Sequence, residues 1–92
     1  MKYLWSVATG NINFFKPSSR AVANYVKTLE GFVALHPHYP DGILWLFDSE
    51  YNAKSARNLM KSKDILCGNN ICKFKYENDV LEFVDETFHK IS

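Results

Sequence analysis

The residues best suited to chemistry in this chain are Cys67 and Cys72, which flank Gly68-Asn69-Asn70-Ile71. Asn visits positive φ more readily than most residues, so the spacing predicts a two-residue turn at Asn69-Asn70 inside a hairpin over residues 65–76. That turn pairs Gly68 with Ile71 and sets Cys67 directly opposite Cys72, where cross-strand side chains come closest. A disulfide there is strained and readily reduced, which is the chemistry of a thiol-based redox sensor. In a reducing cytoplasm the pair stays as two thiols. The spacing is not the two-residue gap of thioredoxin-like or zinc-binding motifs.

Other chemistries have less to build on. His36-Pro37-His38 offers two imidazoles in a turn-rich loop. A zinc site needs two further ligands, and only the cysteine pair could supply them, so no metal is expected. No serine lies in a nucleophile elbow, neither cysteine has a base identifiable in sequence, and no glycine-rich phosphate loop occurs. The expectation is a non-enzymatic protein without a cofactor.

The charges are more informative. The net charge of +1 comes from eleven Lys and Arg against ten Asp and Glu. Residues 1–76 hold ten basic and five acidic residues, net +5, while residues 77–92 hold one and five, net −4. Lys54, Arg57 and Lys61 recur at helical spacing, and Lys73 and Lys75 alternate as on a strand. They form a candidate basic face for phosphate or an acidic partner. Asp79, Glu82, Asp85 and Glu86 form a candidate acidic face for a basic protein partner. Ordinary solvated helix faces are the simpler reading of both stripes. Separated patches also permit head-to-tail pairing into a homodimer.

The elements that must position these residues follow from apolar periodicity. Residues 2–8 read as a strand, with Gly10-Asn11 a candidate turn into a short strand at 12–15. Pro17-Ser18-Ser19 starts a helix carrying Val22, Val26 and Leu29, and Gly31 stops it, so residues 32–35 form a strand. Residues 43–47 (ILWLF) are the strongest core strand. Asp48-Ser49 caps a helix from Glu50 to about Lys63, whose buried stripe is Ala53, Ala56, Leu59 and Met60. Asp79 opens a last helix with Val80, Val84, Phe88 and Ile91 along one side. The result is a single α+β domain over residues 1–92. It is a small ferredoxin-like split β-α-β plait (βαββαβ) with an antiparallel sheet and an additional C-terminal helix.

Alternation along strands groups Tyr3 and Trp5, and separately Trp45, on one side of the sheet. With small residues beneath the helices, these aromatics form a platform on the opposite side, and Lys73 and Lys75 join them. Such a surface stacks single-stranded RNA or DNA. The last helix, laid on that face, would instead make both tryptophans core. The element lengths from Phe47 to Tyr76 resemble the second half of an RNA-recognition motif. The family's strand signature is absent, with Leu44 and Gly42 where it carries aromatics.

At 47% hydrophobic and 15% aromatic the chain is not a disordered tail. No apolar run reaches the roughly 18 residues of a membrane span, and no secretory or lipidation signal is read, so a cytoplasmic protein without a membrane partner is expected. Richness in Lys, Asn, Phe, Tyr and Ile suggests a low-GC source. The leading functional expectation is a protein-interaction module, of the class of phage or mobile-element inhibitors of a host nucleic-acid enzyme (anti-CRISPR-like). The alternatives are the single-strand binder and the redox sensor.

Overall fold

Large apolar residues at 43–47 form a strand with every residue buried. Its two sides pack into separate clusters, one beneath the helices and one on the opposite face. The computed structural model describes residues 2–10, 17–37, 42–78 and 80–88. In chain order these make β1 (Lys2–Thr9), α1 (Pro17–Lys27), β2 (Phe32–Pro37), β3 (Ile43–Phe47), α2 (Glu50–Ser62), β4 (Asn70–Glu77) and β5 (Val80–Phe88). The strands build one antiparallel sheet in the order β2-β3-β1-β4-β5. An α+β protein with an antiparallel sheet and two helices therefore holds. The predicted plait with an appended helix does not, because a fifth strand stands in the helix's place. The predicted strand at 12–15 lies outside the described residues, as do His38, Asp79 and Ile91.

The helices are positioned by local signals. Pro17 is itself the first residue of α1, where its fixed φ suits the first turn, so the two serines lie inside the helix rather than capping it. After α1, Gly31 turns the chain at φ 83 and its carbonyl accepts from the Asp48 N–H at 2.9 Å. Ser49 caps α2, its side chain accepting from the Asn52 N–H at 3.0 Å. At the far end Ile65 N–H bonds Met60 O, Asp64 N–H bonds Lys61 O, and Asp64 sits at φ 59. That is a Schellman stop with Asp in the left-handed position usually held by Gly.

The main core lies between helices and sheet. Ala23, Val26, Ala53, Ala56 and Met60 meet Val7, Ile43, Trp45, Phe47 and Ile71. Small residues on the helices leave room for large ones on the sheet, so Trp45 faces the helices. The expected orientation, with small sheet residues beneath the helices, is reversed. The buried stripe of α2 is Ala53, Ala56, Arg57 and Met60, while Leu59 is exposed. Positions 53, 56, 57 and 60 share one helical face, and 59 lies off it.

A second cluster fills the other face. Leu4, Leu44 and Leu46 are buried there against Ala8, Phe74, Tyr76 and Leu81. His36 and Tyr76, on strands separated by β3 and β1, bring their rings to 6.1 Å. Sheet twist draws such opposite corners together, and a bulge in the outer hairpin increases it. Phe74 pairs with Phe83 but Lys73 with Asp85, so Val84 is the extra residue.

The terminal strand has a clear origin. Glu77 pairs with Val80, and Asn78, in the short connection between them, adopts φ 52, as a tight hairpin turn requires. Tyr76 then faces Leu81, and the Phe74 and Phe83 rings meet edge-on at 5.9 Å. Val, Phe and Thr favour a strand over a helix. Apolar spacing at 80, 84 and 88 fits a helix, but the pairing of 81 and 83 with β4 prevails.

Candidate functional site

The thiols do not form the predicted pair. Residues 65–69 are a connector rather than a hairpin strand, and Asn70 already begins β4. Cys67 bridges Thr9, whereas Cys72 pairs with Ser6. Thr9 and Ser6 alternate to opposite faces of β1, so the two sulfurs lie on different sides of the sheet and no disulfide joins them. Cys67 lines a shallow indentation of about 260 Å³ with Ala8, Thr9, Gly10, Leu66 and Gly68. Its thiol donates to Arg57 O at 3.8 Å. Burial pushes its pKa above an ordinary thiol's 9.0, against the lowering pull of Lys61 and Arg57. A protonated thiol is a poor nucleophile. Among the described residues no cluster of three His, Cys, Asp or Glu could hold a metal ion.

The basic stripe on α2 is engaged within the molecule. Lys54 Nζ reaches Glu50 Oε2 at 3.1 Å, one turn away. Arg57 is only 5% exposed and does not belong to a surface patch. Its Nη1 donates to Asn69 O at 2.9 Å and its Nε to Asn58 Oδ1 at 3.3 Å. Lys61 Nζ donates to Cys67 O at 3.3 Å. Arg57 and Lys61 thus tie the connector to α2 through the Asn69 and Cys67 carbonyls.

The aromatic platform is divided. Trp45 is fully buried beneath the helices, its Nε1 donating to Thr9 Oγ1 at 2.8 Å. It offers no stacking face. Tyr3 and Trp5 are less buried, and Lys73 Nζ lies 4.3 Å and 5.5 Å from their ring centroids. That cation–π cluster occupies the ring faces a base would stack on. The structure brings Lys73 onto Tyr3 and Trp5 and sets Lys75 opposite Tyr3, on the helix side of the sheet rather than the expected one.

The acidic residues lie on a strand instead of a helix. Lys75 pairs with Glu82 and Lys73 with Asp85, so the basic and acidic groups expected on separate surfaces are register partners. Glu86 pairs with Cys72, and Asp79 is outside the described residues. β5 ends the sheet order, and among the described residues its outer edge has no strand beside it. Val80, Phe83 and Val84 are 63%, 58% and 45% exposed along it. The sequence reading placed Val80 and Val84 in a buried stripe and gave Phe83 no role. The signal that could have found them is Asn78-Asp79 between two β-rich runs.

The site is therefore a sheet-edge strand with Val80, Phe83 and Val84 exposed and an exposed Glu82 among them. No family model, no curated protein and no solved structure matches the chain. Among the described residues no helix is long and apolar enough to cross a membrane.

Proposed function

We propose that the protein is a non-catalytic interaction module that docks a protein partner on β5. The observation that carries this reading is the exposure of Val80, Phe83 and Val84 on an edge strand whose charged residues are all acidic. Val80, in register with Glu77, and Phe83, in register with Phe74, lie on opposite faces of β5, so the shared surface is the edge itself, and an open edge is a template for another chain. An acidic rim suits a basic partner, including the nucleic-acid-handling surface that an inhibitor of a host enzyme would target. The succession β1-α1-β2-β3-α2-β4 supports reading the first six elements as a ferredoxin-like plait to which β5 has been added.

Binding of single-stranded nucleic acid is the weaker reading. Arg57 and Trp45 are buried, Lys73 covers Tyr3 and Trp5, and Lys75 stands opposite Glu82.

A photo-crosslinking amino acid at position 83, in the cells that make the protein, tests the proposal. Discrete protein adducts are expected from position 83, lost on adding Glu82→Lys, and absent from position 51 on exposed α2. Adducts to RNA, or none at position 83, would overturn it.

A further inference from the structure

We infer that the partner is recognised by strand addition: an extended, basic segment of another protein pairs with β5 and makes the sheet six-stranded. This inference rests on β5 being the docking surface and specifies how that surface is read. An edge strand presents a row of backbone N–H and C=O groups, which an incoming strand satisfies while its side chains set specificity.

The two edges of the sheet are not equivalent. β2 has six residues and includes Pro37, which has no N–H to donate. β5 has nine residues and no proline. It can therefore support a longer ladder.

The charges select the occupant. From Glu77 to Phe88 the chain has acidic residues and no Lys or Arg. A second copy pairing antiparallel about Phe83 and Val84 would set Glu82 against Asp85. Like charges directly opposite are destabilising, so self-pairing in that register is disfavoured. A strand with Lys or Arg at alternate positions meets those carboxylates instead. The acidic residues thus reject one occupant and attract another. The bulge at Val84 interrupts the ladder and penalises a shifted partner, because a one-residue slip reverses every side chain.

The test is titration of the isotope-labelled protein with nine-residue peptides, followed by amide NMR. The probes are a peptide alternating Lys and Thr, its counterpart alternating Glu and Thr, and two versions of the Lys peptide N-methylated at every second residue, one in each phase. The Lys peptide is expected to shift the amides of residues 80–88 and slow their exchange at least tenfold. The Glu peptide should do neither, and one methylated phase should bind at least tenfold more weakly. Shifts at β5 with equal affinity for both methylated peptides would overturn strand addition while leaving β5 as a docking surface. No shifts from the Lys peptide, with protein adducts still obtained at position 83, would do the same. Concentration-dependent protection of β5 without peptide would overturn the basic partner in favour of a second copy.

Discussion

Trp45 places an indole N–H in the core, and Thr9 Oγ1 accepts from it at 2.8 Å. Thr9→Val keeps the shape and removes the acceptor, so it should cost about 1–3 kcal/mol, the penalty of a buried unpaired donor. The urea midpoint of the variant against the parent measures it. At Cys67 the sign of the pH effect follows from burial raising the thiol pKa. Below the unfolded pKa both states hold the proton and the thiol adds no pH dependence. As pH rises past it, the unfolded chain ionises first and stability falls, until the folded thiol also ionises. Cys67→Ala should flatten the alkaline limb of a stability profile; an unchanged limb would contradict this. Residue types were legible here, but partners were not. Thr9 and Trp45 are 36 positions apart in sequence, and only the strand register joins them.

Elements with strong local signals were legible: the Ser49 cap, the turn at Gly31 ahead of β2 and the apolar run of β3, although α1 ends at Lys27, short of the expected stop at Gly31. Gly31 combines φ 83 with a close approach, since a Cβ there would lie 2.8 Å from Asn52 Cβ. Gly31→Ala should therefore lower stability by roughly 1–3 kcal/mol through left-handed strain, plus whatever repacking of Asn52 adds. Thermal unfolding of the variant checks the loss. β5 was not legible, because residues 80–88 satisfy both apolar periods and the contest is decided by contacts with Phe74 and Tyr76. The hairpin turns at Asn78, between Glu77 and Val80, rather than at the expected Asn69-Asn70.

Over the whole molecule, a net +5 segment is followed by a net −4 segment, and the β4–β5 hairpin folds the two together. Polarity in sequence thus becomes cross-strand pairing in space. Lys75 and Glu82 should couple favourably by about 0.2–1 kcal/mol in a double-mutant cycle, less at high salt. No coupling at low salt would mean that the register pair does not interact. What the pairing leaves outward is an edge strand with exposed Val80, Phe83 and Val84. The most direct measurement of that claim is residue-resolved amide exchange of the isolated protein across residues 80–88. An open edge predicts alternation: amides bonded to β4 are protected, those between them exchange quickly, and the alternation breaks at the Val84 bulge. Continuous protection over the segment, as in a helix or a covered strand, would contradict the account.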